Sequence, residues 1–150
     1  MQPILTYHND PALKARIIEQ ARHHLAADML VRGTYGELKE GKFRGCSVGC
    51  FAYEINPDHS SSHSVVAEHA GWPEWLVQLS DTLFEGLPAG ERETFHVALR
   101  EVVPVGVDIE PVRYHLSIAR HQRQLVRLAD TTEPYAQRVR DALRGVITWC

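Results

Sequence analysis

The residues with the most chemistry per unit length run from Gly41 to Cys50, Gly-Lys-Phe-Arg-Gly-Cys-Ser-Val-Gly-Cys. Two of the three cysteines, three of the ten glycines and two cations fall in this stretch. Cys46 and Cys50 are spaced C-x3-C, which on a helix puts both sulfurs on one face, one turn apart. A helix beginning near Cys46 would favour its thiolate through the helix dipole, and Lys42 and Arg44 add positive potential nearby. Cys46 and Cys50 are therefore the candidate catalytic or redox residues. The spacing is less specific than C-x2-C, and no thioredoxin-like strand–helix pattern surrounds it. The preferred reading is that both cysteines are small buried packing residues, with Gly45 and Gly49 allowing a close helix contact.

Other constellations are weaker. Cys46 and Cys50 with His59, His63 and His69 offer zinc-compatible ligand types, but the spacing is poor and a solvated His/Ser loop is the plainer account. No metal ligand is assigned and no cofactor is expected. A cysteine protease or acyltransferase needs a positioned histidine. His23, His24, His69, His96 and His115 are available, and none carries a local signature. There is no Walker A loop, dinucleotide fingerprint, H-E-x-x-H or G-x-S-x-G. Arg113, Arg120, Arg123 and Arg127 fall within about one quadrant of a helical wheel, with Tyr114, Ile118, Leu125 and Ala129 roughly opposite. Such a stripe can hold phosphates, so these four arginines, with Lys42 and Arg44, are candidate binding residues. A solvated or salt-bridged face is the simpler reading, and no aromatics interleave to stack bases.

At 150 residues, 44% hydrophobic and 23% charged, the chain is a globular protein rather than a disordered one. The expectation is one helical domain over residues 1–150. No apolar run is long enough to cross a membrane and no signal peptide is read at the start. An odd number of cysteines argues against a disulfide scaffold, so a cytoplasmic location is expected. The net charge of −3 would reverse in sign if all nine histidines were protonated. Residues 74–110 carry eight acids against two arginines, and residues 112–150 seven arginines against three acids. These blocks can pair within one fold or between two copies. General nucleic-acid binding is disfavoured by the overall acidity.

The elements that must position these residues read as helices. Asn9-Asp10-Pro11 is a capped start, and Leu13, Ile17, Ala21, Leu25 and Met29 repeat every four residues, with Ile18 beside them, until Gly33. A loop to about Arg44 precedes a short helix from near Cys46. Residues 65–70 suit a short helical piece. Trp72, Trp75, Leu76, Leu79 and Leu83 form a second stripe, closed by Gly86 and Pro88. Phe95, Ala98, Leu99 and Val102 mark the next helix, to Pro104. Pro111 and Pro134 open the last two. Only Val102–Ile109 suggests a strand. The fold class predicted is all-α, a bundle of five or six helices.

Gly45-Cys46-Ser47-Val48-Gly49-Cys50, Gly71-Trp72-Pro73-Glu74-Trp75-Leu76 and Asp81-Thr82-Leu83-Phe84-Glu85-Gly86-Leu87-Pro88, in that order, resemble an uncharacterised family of small bacterial and phage-associated proteins. That family carries a G-C-x-V-G-C element followed by D-x-x-F-E-G-L-P. The resemblance covers about residues 41 to 100. It implies that these elements share one structural unit, and it implies no activity. The functional expectation is a small helical protein that binds another macromolecule or itself. The alternatives are cysteine chemistry at Cys46 or Cys50 and nucleic-acid binding by the Arg113–Arg127 face.

Overall fold

A computed structural model describes residues 3–59 and 62–149. The protein is mainly helical, with seven α-helices and one small two-stranded sheet among the described residues. None of those helices is long and apolar enough to cross a membrane. Length suggested one domain; the chain forms two compact units, Met1–Ile109 and Glu110–Cys150.

The first unit contains α1 (Pro11–Ala26), β1 (Glu37–Lys39), β2 (Lys42–Arg44), α2 (Ser47–Ile55), α3 (His63–Ala70), α4 (Glu74–Gly86) and α5 (Glu91–Val102). The expected caps are present. The Asp10 carboxylate accepts from the Ala12 N–H at 2.8 Å, ahead of Pro11 at the first helical position. Ser62 caps α3, and Gly71 ends it in the left-handed conformation at φ 62°. Leu13, Ile17, Ala21, Val48, Phe51, Val66, Trp72, Leu76, Val77 and Phe84 are among the residues that close the core. The segments Gly45–Cys50, Gly71–Leu76 and Asp81–Pro88 all lie within this unit.

Several expectations are corrected. Helix α1 stops at Ala26, not near Gly33, and its buried stripe turns from Ala21 to His24, leaving Leu25 exposed. The expected loop before Arg44 contains an antiparallel hairpin, Glu37 opposite Arg44 and Lys39 opposite Lys42. Its two-residue turn, Glu40 and Gly41, has positive φ at both positions, the backbone that matches strand twist. Val102–Ile109 is not a strand, although Gly106 and Val107 exchange backbone hydrogen bonds with Thr6. Trp72 is buried in the connection before α4 rather than on it, and Leu83 is exposed. On α5 the buried residues are His96 and Arg100, while Val102 is 73% exposed.

The N-terminal segment is clasped onto α5 and onto residues 106–107 just beyond it. Thr6 bonds Val107 and Gly106 through the backbone at 3.1 and 2.9 Å, and the Tyr7 hydroxyl donates to the Arg100 carbonyl at 2.7 Å. Tyr7, His8 and Asn9 all have φ near +50 to +60°. Three consecutive non-glycine residues there are strained, and these bonds hold them in place.

The second unit is a pair of helices, α6 (Val112–Arg127) and α7 (Pro134–Trp149), with Pro134 opening the second as read from the sequence. Arg140 ties down the connection, donating to the Leu128 and Thr131 carbonyls at 2.7 and 3.2 Å. Ala136 is the one fully buried apolar side chain among its described residues.

Candidate functional site

Helix α2 starts at Ser47 because Cys46 caps it: the Cys46 sulfur accepts from the Gly49 N–H at 3.4 Å. A strap of chain, Gly33-Thr34-Tyr35, lies across that helix end. The Cys46 N–H donates to the Thr34 carbonyl at 2.9 Å, and Gly45 exchanges backbone bonds with Met29 and Val31. The glycines make this contact possible. A Cβ at Gly49, or at Gly45, would run into the Tyr35 carbonyl oxygen. The close-packing account of G-C-x-x-G is therefore correct for the glycines.

The two cysteines part company. Cys50 is fully buried and its thiol points at the Met29 and Gly45 carbonyls, 3.7 and 3.6 Å away. Cys46 is only 2% exposed, but it forms the base of a pocket of about 200 Å³ lined by Gly33, Thr34, Tyr35, Asp81 and Glu85. Burial pushes both thiols up to about 12, which keeps them protonated near neutrality.

Asp81 and Glu85 stand one turn apart on α4 and face the pocket together. One ligand atom each from Cys46, Asp81 and Glu85 lie within 4.8 Å of one another. The strap orients Glu85, whose Oε2 accepts from the Gly33 N–H at 2.9 Å. His63, at the start of α3, orients Asp81, with Nε2 3.1 Å from Oδ2. The other Asp81 oxygen, Oδ1, is buried and has no hydrogen-bond partner among the described residues. The Tyr35 ring packs edge-on against His63. The structure thus brings together Cys46 and His63 from the sequence candidates. It adds Asp81 and Glu85, which sequence reading missed; their i, i+4 spacing was the available signal. The His59 side chain lies outside the described residues, and His69 is on the far end of α3, among Ile17, Phe51 and Trp72.

A second polar cluster is buried behind α2. The fully buried Arg100 guanidinium donates to the Ser47 hydroxyl at 3.0 Å, and Ser47 Oγ is 2.9 Å from His96 Nδ1. His96 Nε2 is 3.1 Å from His24 Nδ1, and His24 Nε2 is 3.0 Å from Glu54 Oε1. That last contact is close but misaligned for a hydrogen bond. Arginine only donates and a carboxylate only accepts, so the ends fix the direction. Ser47 donates to His96, His96 through its Nε2 proton to His24, and His24 points its Nε2 proton at Glu54. His96 is accordingly neutral, its pKa held well below the usual histidine value by burial and by Arg100. Among the described residues no carboxylate pairs with Arg100. Its charge rests on the His96 carbonyl and on the faces of Phe51 and Trp72, 4.8 and 5.5 Å from the guanidinium carbon. Ser47 is completely buried, so this row is a packing and registry device rather than a reaction site.

The remaining candidates sit apart. Lys42 is exposed on β2, and Arg44 binds the Asp28 carbonyl and carboxylate at 3.0 and 3.1 Å. Arg113, Arg120, Arg123 and Arg127 are all exposed on α6, Arg113 paired with Glu110 at 3.0 Å and bonded to the Tyr114 hydroxyl. Tyr114 is thus exposed rather than core, and Ala129 lies beyond the helix end. A larger open groove of about 610 Å³ between the N-terminal segment and α3 is lined mainly by apolar side chains such as Ile4 and Trp72.

No protein-family model matches the chain, and no curated protein or solved structure matches it either.

Proposed function

We propose that this protein works by macromolecular association through its C-terminal helical pair, with a second copy of the chain as the partner. The observation that carries this reading is that none of the sixteen residues of α6 is buried. Val112, Leu116 and Val126 on α6, and Tyr135, Val139 and Val146 on α7, are exposed, Val126 at 76% and Tyr135 at 53%. Residues 135, 139 and 146 follow the spacing of one helical stripe. A two-helix hairpin buries too little apolar surface to be stable on its own. Two such hairpins packed by a twofold axis make a four-helix bundle, the simplest arrangement that covers both stripes. Each face measures about 24 Å by 20 Å, which puts the joint interface just below the range for standard specific complexes, the size of a weak, concentration-dependent dimer.

The cytosol of a bacterial or phage-infected cell is the setting we propose, from the absence of a spanning helix among the described residues and the motif resemblance. Cysteine catalysis has no specific observation in its favour, because Cys50 faces carbonyls and both thiols are protonated. Light scattering of the full chain across salt concentrations tests the proposal. Dimers are expected, and Val126→Asp with Val139→Asp should convert them to monomers with lower helicity, because the unpaired α6–α7 hairpin loses its support. A wild-type protein that is monomeric at every salt ends the proposal. Salt-dependent retention of mixed RNA or DNA, lost on Arg120→Glu and Arg123→Glu, would move the function to the arginine face.

A further inference from the structure

We propose that Cys46, Asp81 and Glu85 bind a zinc ion in the pocket beneath the Gly33–Tyr35 strap, with His63 fixing the Asp81 carboxylate.

Four observations converge on this pocket. The three ligand atoms come from two separate helix ends and already lie within 4.8 Å of one another. Tetrahedral zinc with sulfur and oxygen donors at about 2.0–2.3 Å needs them roughly 1 Å closer, within reach of small side-chain rotations. Each carboxylate is pre-oriented by a partner on its outer side, Gly33 N–H for Glu85 and His63 for Asp81. Carboxylates that ligate metals are commonly held by hydrogen bonds on their outer side in this way. The inward oxygen, Asp81 Oδ1, is buried with no close partner, and the Asp81 carboxylate faces the Cys46 thiol, whose proton is the one that zinc would replace. Finally, no lysine or arginine pairs with Asp81 or Glu85 among the described residues, and His63 is the basic group that meets Asp81 there.

The donor set selects the metal. A thiolate excludes calcium and magnesium as preferred occupants, and mixed sulfur and oxygen ligation suits zinc. Binding replaces the Cys46 S–H bond with an S–Zn bond and releases that proton to solvent. Three protein ligands would leave one position for water or a small ligand, and Thr34 and Tyr35 line the same pocket.

Calorimetric titration of the full chain with zinc, and absorption spectra with cobalt(II) as the probe, test the assignment. One zinc per chain is expected, with about one proton released per zinc and that number constant between about pH 8 and 6.5, as judged by buffer-dependent heats. Cobalt should give a thiolate charge-transfer band. Cys46→Ser should abolish the band and weaken zinc binding at least ~100-fold, and His63→Gln should weaken it ~10–100-fold. Glu85→Gln, at a partly exposed position, should weaken zinc binding at least ~10-fold, and serves if Cys46→Ser fails to fold. Cys50→Ser and Cys150→Ser should leave the band in place. Zinc binding no tighter than millimolar, or a cobalt–thiolate band that survives Cys46→Ser, overturns the proposal. Neither result depends on the oligomeric state.

Discussion

Gly49→Ala is the sharpest probe of how the strap and α2 fit together. On a free helix surface this change would stabilise the protein by about 0.5–1 kcal/mol, because alanine has the higher helix propensity. Here the added methyl would coincide with the Tyr35 carbonyl oxygen. The strap must lift, and lifting it removes the Thr34 carbonyl from the Cys46 N–H. Overpacking costs about 1–3 kcal/mol, and leaving a buried N–H without its acceptor about 1–3 more. Set against the propensity gain, the net loss is roughly 1–5 kcal/mol. Gly145→Ala is the matched control, since a Cβ there meets nothing within 4 Å in the middle of α7. It should be neutral to stabilising by up to about 1 kcal/mol. Urea unfolding followed by circular dichroism, with the fluorescence of Trp72 and Trp75 reporting on the first unit, measures both. Gly49→Ala within about 0.5 kcal/mol of wild type would refute the close-packing account of G-C-x-x-G.

The buried row behind α2 and the two cysteines beside it make the remaining predictions. His96 is neutral in the folded protein and titrates normally when unfolded, so below about pH 6.5 the unfolded state takes up the extra proton. Stability should be full above that pH and fall on acidification, by up to about 1.4 kcal/mol per pH unit, and thermal melts of wild type and His96→Gln should differ in that slope. Ser47→Ala should cost about 1–3 kcal/mol by stranding His96 Nδ1 and Arg100, whereas Arg100→Met, which removes a buried charge lacking an acidic partner, should cost less or stabilise in the same melts. Peptide mapping after iodoacetamide should find Cys46 and Cys50 unmodified in native protein and modified after denaturation; rapid native labelling of Cys50 would contradict its burial.

The helix starts were legible because caps are local. Asp10-Pro11, Gly71 and Pro134 each fix a boundary through their own backbone chemistry. The hairpin at Glu40-Gly41 was not legible, since its strands are three residues long and only Phe43 points inward. Helix α5 misled in another way. Apolar periodicity picks out Phe95, Leu99 and Val102, but the deepest positions belong to His96 and Arg100, whose partners Ser47 and His24 lie about fifty and seventy residues earlier. A side chain that is polar in isolation becomes core once a distant residue satisfies it. The pocket shows the same division. Cys46 stood out by type, while Asp81 and Glu85 look like ordinary surface acids until α4 is laid beside the end of α2.

The clasp between Thr6 and residues 106–107 has a consequence for how the chain is made. Helix α1 emerges early in synthesis, yet the bonds that lock the segment before it wait for about a hundred more residues. At ordinary translation rates that is roughly 5–20 s during which the Tyr7 side chain has no Arg100 carbonyl to meet. The same geometry means that the chain enters and leaves its first unit side by side. Residues 3–109 therefore form a loop closed on itself, a piece that can be spliced into an exposed turn of a host protein without stretching either end.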